Sequence, residues 1–73
     1  MSLSEELKKI RVDSVMSQEE FAAELGVTQI TITRWENGRS VPSIATMKRI
    51  LAYCKKNEID VDELSVSWKE KYE

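Results

Sequence analysis

The stretch MSQEEFAAELGVTQITITRWENGRSVPS, residues 16 to 43, decides how the rest of the chain is interpreted. Its second half is ambiguous, because Ile30 and Ile32 alternate with threonines as they would in a β-strand. Gly38, which follows an asparagine, is typical of a helix end, since both residue types tolerate the left-handed backbone conformation. The question is therefore whether residues 28 to 36 form a strand or a helix.

A helical wheel favours a helix. At about 100° per residue, Ile32 and Trp35 fall on one side, where they can join a core with Val27, and a mostly polar ridge falls on the other side. The ridge comprises Gln29, Ile30, Thr33, Arg34 and Asn37. A strand would instead place Trp35 among polar residues. We predict a helix over residues 28 to 36, with tertiary packing overriding the β propensity of its β-branched residues.

Capping signals predict three further helices. Two Ser–Glu pairs have the spacing of a capping box, which satisfies the free N–H groups at a helix start. They place the first helix at about residues 3 to 13, after Ser2, and the second from Ser17 to Leu25, with Gly26 at the turn. Ser43 is the expected N-cap of a fourth helix. Its apolar stripe is assigned to the core and consists of Ile44, Met47, Ile50, Leu51 and Cys54.

The tail, residues 57 to 73, is left open between helix and strand. Asp60 and Glu63 favour a helix start, whereas the apolar residues from Leu64 to Tyr72 alternate as in a strand. A chain of 73 residues makes one domain. We therefore predict an all-α, compact bundle of four to five helices over residues 1 to 73, with its core in residues 3 to 56 and the tail as a dimerisation segment.

Composition excludes several classes of function. The chain has no His and one Cys, Cys54, which removes a disulfide framework, a Cys/His metal site and a His-based catalytic triad. It has no apolar run of membrane-spanning length and no N-terminal secretory pattern. We expect a cytoplasmic protein that is not an enzyme, has no membrane partner and needs neither cofactor nor metal.

Positive charge is concentrated in the middle of the chain. The net charge is −2, yet residues 28 to 56 carry six basic groups and one acidic group, and both flanks are acidic. An acidic protein can bind a polyanion if its positive charge lies on one face. The competing interpretation is that these basic side chains only solvate helices. They are Arg34, Arg39, Lys48, Arg49, Lys55 and Lys56.

Two short helices joined at Gly26 form the outline of a helix-turn-helix, whose second helix enters the major groove of DNA. Ala22 fits this outline because the two helices cross closely. From about Leu7 to Lys55 the chain resembles the Cro and lambda-repressor type of helix-turn-helix family. The residues that carry the resemblance are Gln18, Ala22, Leu25, Gly26, Val27, Ile32, Trp35, Glu36, Asn37, Gly38 and Pro42.

The resemblance implies binding to double-stranded DNA, usually as a homodimer on a palindromic operator. By the same resemblance, the side chains that face bases are Gln29, Ile30, Thr33 and Arg34. Those that contact the phosphate backbone are Gln18, Thr28, Asn37, Arg39 and Ser40. Arg11 and Glu36 correspond to the family's buried ion pair, which links the first helix to the end of the recognition helix.

Side-chain chemistry agrees with these roles to different degrees. Gln29 can pair with adenine and Arg34 with guanine, whereas Ile30 can cover a thymine methyl or contact another protein. Asn37 can contact a phosphate or simply cap its helix. The expected function is a DNA-binding transcriptional regulator that represses. Two alternatives stay open: the antitoxin of a toxin–antitoxin pair with the same fold, and a protein-interaction module that does not bind DNA. These alternatives predict a protein partner, either a toxin or a co-regulator.

Overall fold

The computed structural model describes residues 2 to 72, and within that range it contains five helices and no strand. The helices are α1 (Leu3–Asp13), α2 (Gln18–Leu25), α3 (Gln29–Glu36), α4 (Ile44–Lys56) and α5 (Asp62–Tyr72). The prediction of an all-α bundle is confirmed. Residues 29 to 36 are helical despite their β-branched sequence, and Thr28 precedes them as the N-cap.

The predicted helix starts are confirmed at their caps. Ser2 and Ser17 each form a capping box, in which the serine side chain accepts from the backbone N–H of the glutamate three residues later and that glutamate accepts from the serine N–H. Ser43 caps α4 by accepting from the N–H of Thr46. Each cap is built from residues within one helical turn, so short sequence spacing was enough to locate it.

The turn between α2 and α3 depends on Gly26. Its φ of 70° is left-handed, and the N–H of Val27 donates back to the carbonyl of Ala22 over 3.0 Å to close the helix. A Cβ atom at Gly26 would lie 2.6 Å from Nη1 of Arg49. The left-handed backbone conformation therefore favours glycine here, and a larger residue would also displace the guanidinium of Arg49 from α4.

The core lies between all five helices. Its fully buried large side chains include Leu7, Phe21, Leu25, Ile32, Ile50 and Leu64. In the stripe predicted for α4, Met47, Ile50 and Cys54 are buried and Leu51 is half-buried, but the assignment of Ile44 was wrong, because its side chain is 50% exposed. Ile44 is the first residue of α4, next to the cap, and lies outside the part of the helix that packs on the core.

The tail is a helix, α5, and it packs against α1. Leu64, Trp68 and Tyr72 recur every four residues, so they lie on one face of α5. Leu64 is buried, and the indole Nε1 of Trp68 donates to the carbonyl of Pro42 over 2.8 Å. The rings of Trp68 and Tyr72 stack with their centroids 4.6 Å apart. The alternation that resembled a strand is thus a helical repeat anchored to the loop before α4.

Candidate nucleic-acid interface

Helix α3 is held at both ends and along one face. At its start, the side chain of Thr28 accepts from the N–H of Thr31. Ile32 and Trp35 are buried and fasten the inner face to the core. Beyond its end, Gly38 adopts φ 73°, and the N–H of Arg39 donates to the carbonyl of Arg34 over 2.9 Å. These contacts present the outer face of α3 on a rigid support.

The outer face of α3 carries the side chains predicted to face bases. Gln29, Ile30 and Arg34 are exposed, and Thr33 is half-buried. Ile30 is 64% exposed, which is unusual for a large aliphatic side chain. The four residues are neighbours at i, i+1, i+4 and i+5 along the helix, so they share one side of it. We call this set, Gln29, Ile30, Thr33 and Arg34, the recognition ridge.

Arg11 and Glu36 meet between α1 and the end of α3. The guanidinium contacts the carboxylate through two bonds, Nε to Oε2 over 2.7 Å and Nη2 to Oε1 over 3.0 Å. The Nη1 group also donates to the carbonyl of Met16 over 2.9 Å. The two side chains are only 13% and 5% exposed. The pair is therefore buried and two-pronged, the arrangement in which an arginine–carboxylate contact is strongest.

The environment keeps this pair charged. Burial by itself raises the pKa of Glu36, but the hydrogen bonds from Arg11 and Gln18 outweigh it, and the net pKa lies below its usual value. The hydrogen bond to Glu36 raises the pKa of Arg11 in turn. Both partners therefore stay ionised at neutral pH, and the carboxylate stays an acceptor only.

Gln18 joins α2 to α3 through the same carboxylate. Its Nε2 donates to Glu36 Oε1 over 3.2 Å, and its Oε1 accepts from Thr33 Oγ1 over 2.9 Å. The sequence assigned Gln18 only to a phosphate. Its bonds to α3 carried no sequence signal, because the partners lie 18 and 15 residues away. The bond to Glu36 uses only one of the two N–H groups of the amide.

The other residues predicted to contact phosphates flank α3 and are exposed. They are Thr28, Asn37, Arg39 and Ser40. Thr28 and Asn37 also hold the cap positions at the two ends of α3. Thr28 thus lies immediately before the recognition ridge, and Asn37, Arg39 and Ser40 lie after it.

Three of the basic side chains in the middle of the chain lie at the C-terminal ends of helices. Arg49 Nη1 donates to the carbonyl of Leu25, the last residue of α2, over 3.2 Å. Lys55 and Lys56 lie in the last turn of α4. Cations at these positions offset the partial negative charge of a helix C-terminus. The other three basic residues of this segment are also exposed: Arg34 lies on the recognition ridge, Arg39 lies just after α3, and Lys48 lies on α4.

Within residues 2 to 72, none of the helices has the length and the apolar character that a membrane span requires. No group of three or more His, Cys, Asp or Glu side chains in that part of the chain is arranged to hold a metal ion.

Comparison with known proteins agrees with this geometry. A family model described as helix-turn-helix matches residues 7–61. The chain is similar to the HTH-type transcriptional activator BcrR of Enterococcus faecalis, with 30% identity over 64 residues, which are 88% of this chain and 30% of the relative. The chain therefore spans less than a third of that relative's length. No solved structure matches the chain.

Proposed function

Since the chain belongs to the helix-turn-helix family, in its Cro and lambda-repressor type, we propose that it is a DNA-binding transcriptional regulator that acts as a homodimer on a palindromic operator. The observation that carries this proposal is the recognition ridge, an exposed face on a short helix whose other face is fixed by the core and by Arg11, Gln18 and Glu36. A rigid support suits base reading, because hydrogen bonds to base edges tolerate little positional error.

The ridge reads the major groove in this proposal. Gln29 pairs with adenine through its amide, and Arg34 pairs with guanine through its guanidinium. Ile30 and Thr33 lie between them on the ridge. Gln18, at the start of α2, offers an N–H to a phosphate where the helix dipole also favours an anion. The exposed residues that flank α3 contact the phosphate backbone of the DNA and so set the register of the ridge on the duplex. They are Thr28, Asn37, Arg39 and Ser40.

A two-fold dimer would place two copies of α3 about 34 Å apart, one turn of DNA. We assign the dimer contact to α5, where Val66 and Tyr72 are large, exposed and apolar. Mass measurement of the complex tests this: a two-to-one ratio of chain to duplex supports the dimer. One chain on a site without an inverted repeat contradicts it.

We propose that the protein represses transcription by occupying promoter DNA. The relative named above is called an activator, so activation is the competing outcome. A reporter gene placed behind the operator separates the two. Expression should fall when the chain is supplied, and a rise would overturn repression without touching the DNA-binding proposal.

The proposal is tested by selecting bound sequences from a random pool of duplexes and titrating variants on the selected and scrambled DNA. Arg34→Ala should lose roughly 1–3 kcal/mol on the selected duplex and little on the scrambled one, since it removes a base contact. Arg39→Ala should weaken both duplexes alike and reduce the slope of log affinity against log salt by about one.

Two results would reject the proposal. Equal losses of Arg34→Ala on both duplexes would show that the ridge does not read bases. Failure to enrich any sequence, together with binding that does not depend on salt, would favour a protein-interaction module. In that case Ile30 would anchor in a partner protein, a toxin or a co-regulator, rather than in a groove of DNA.

A further inference from the structure

The side chain of Gln18 has one allowed orientation. Glu36 is an ionised carboxylate held by Arg11, and a carboxylate can only accept hydrogen bonds. The end of the Gln18 amide that faces Glu36 must therefore be the NH₂ group, which lies 3.2 Å away. The carbonyl end of the same amide then points to Thr33 Oγ1 at 2.9 Å.

This orientation commits the hydroxyl proton of Thr33. An amide oxygen is only an acceptor, so Thr33 has to be the donor in its bond to Gln18. The second polar atom near the hydroxyl, the carbonyl of Gln29 at 3.2 Å, is also only an acceptor. A hydroxyl has a single proton, and both neighbours inside the protein compete for it. Thr33 has no proton left to donate to a base.

The hydroxyl oxygen of Thr33 can still accept a hydrogen bond from an adenine or cytosine amino group. Thymine presents an O4 acceptor and a methyl group in the major groove, so towards thymine the group that Thr33 can still offer is its own methyl. Ile30 lies one helical turn before it, at i−3, and its aliphatic side chain is 64% exposed. Gln29 and Arg34 flank this pair with long polar side chains. The recognition ridge is thus apolar in the middle and polar at its sides. In the major groove the 5-methyl group of thymine is the only apolar group that base edges present.

Resting on the proposed function, we infer that Ile30 and Thr33 form a methyl-reading pair, which selects thymine through the 5-methyl group and not through a hydrogen bond from the Thr33 hydroxyl. Gln18 is the positioning residue, because its amide keeps that hydroxyl turned to the protein. Specificity in the centre of each half-site then depends on shape and apolar contact, while Gln29 and Arg34 read its flanks.

Deoxyuridine provides the test, since it lacks the 5-methyl group of thymidine and has the same pairing edge. Each thymidine of the selected half-site is replaced in turn, and affinities are measured for the wild type, Ile30→Ala, Thr33→Ser and Thr33→Val. For each protein the result is the ratio of its affinities for the thymidine and deoxyuridine duplexes. A loss of folded protein cancels in that ratio, so a less stable variant remains informative.

At one or two thymidines the wild type should lose about fourfold in affinity for each methyl group removed. Thr33→Val keeps the methyl and removes the hydroxyl, so its ratio should equal that of the wild type. Thr33→Ser keeps the hydroxyl and removes the methyl, so its ratio should fall towards one at one of these positions. Ile30→Ala should reduce the ratio at the same or the neighbouring thymidine.

The inference is overturned if deoxyuridine changes the wild-type affinity at no position. It is also overturned if Thr33→Ser keeps the wild-type ratio while Thr33→Val loses base preference, because the hydroxyl oxygen would then be the reading group. These results differ from those expected if the proposed function is wrong. In that case selection from the random pool enriches no sequence, and the methyl-reading pair is rejected together with DNA recognition.

Discussion

Two buried carboxyl groups lie where α1 meets its neighbours: Glu36 of α3, and Glu6 of α1 itself. Their surroundings differ in the partners that they offer to the carboxyl oxygens. On the side of α3, Glu36 receives two bonds from Arg11 and one from Gln18. On the side of α5, Glu6 is only 8% exposed, and its Oε1 has no hydrogen-bond partner among the described residues. The group that shares a hydrogen bond with Glu6 is another carboxyl, Glu63.

The two environments move the two pKa values in opposite directions. Burial raises the pKa of Glu6, and a hydrogen bond to Glu63 together with the negative charge of Glu63 raises it further. Lys9 lines the same cleft and lowers it, but does not offset the other effects. The pKa of Glu36 is lowered instead, because its hydrogen bonds outweigh burial.

The difference indicates that α1 is held more firmly on the side of α3 than on the side of α5. A buried carboxylate with its charges and lone pairs matched holds α1, α2 and α3 in one geometry, and those elements carry the recognition ridge. A buried carboxyl beside a like group costs stability at neutral pH, because one of the two must be protonated or both must stay charged and close together. We therefore expect this carboxyl pair to weaken the contact between α1 and α5.

Removal of Arg11 should have the largest effect on stability. Arg11→Ala leaves Glu36 buried without its cation, and breaking a buried pair in this way costs about 3–5 kcal/mol. Urea unfolding at pH 7 measures the change. Unfolding curves that coincide with those of the wild type would mean that the pair does not hold α1 to α3.

Neutralisation of Glu6 should stabilise the protein. Glu6→Gln keeps the shape of the side chain, removes the like charge and supplies an N–H that Glu63 can accept. A gain of about 1 kcal/mol at pH 7 is expected, the usual cost of one unsatisfied buried group. Glu70→Gln, an exposed position on α5, is the control and should leave stability unchanged. A loss of stability in Glu6→Gln would show that the wild-type contact is favourable.

The stabilities of Glu6→Gln and Arg11→Ala should also depend on pH in opposite ways. A raised pKa means that Glu6 favours folding below the ordinary carboxyl pKa of 4.5 and loses that contribution as the pH rises through its folded pKa. The gain from Glu6→Gln should therefore grow from pH 4.5 to pH 7. Glu36 behaves in reverse. Its contribution is present above 4.5 and is lost as the pH falls through its lowered pKa, so the cost of Arg11→Ala should shrink in acid. Equal slopes for both variants would contradict the opposite shifts.

The exposed pair on α1 should give the smallest effect. Lys9 and Asp13 form an ion pair at 2.8 Å, but their side chains are 58% and 60% exposed. Water and salt screen such a contact, and the bulk of its attraction is lost. Asp13→Asn should leave the melting temperature unchanged within error. A shift as large as that of Arg11→Ala would show that burial is not what separates the two pairs.

Features that depend on neighbours along the chain could be predicted from residue types and their spacing. Capping boxes at Ser2 and Ser17, the turn at Gly26 and the helical face of Ile32 and Trp35 all arise within one or two turns of helix. Such interactions have a fixed spacing, so residue types at that spacing are enough to predict them. The recognition ridge follows from the same argument, because the wheel that turns Ile32 inward turns Ile30 outward.

Features that depend on distant partners could be seen only once the helices were packed together. Whether the tail forms a helix was settled by Leu64 in the core and by the bond from Trp68 to Pro42, 26 residues away. The exposure of Ile44 depends on where α4 first meets the core. The locked hydroxyl of Thr33 and the matched or unmatched charges of Glu36 and Glu6 depend on which helices pack together. No local spacing encodes these contacts, because folding brings their partners together from 15 or more residues apart.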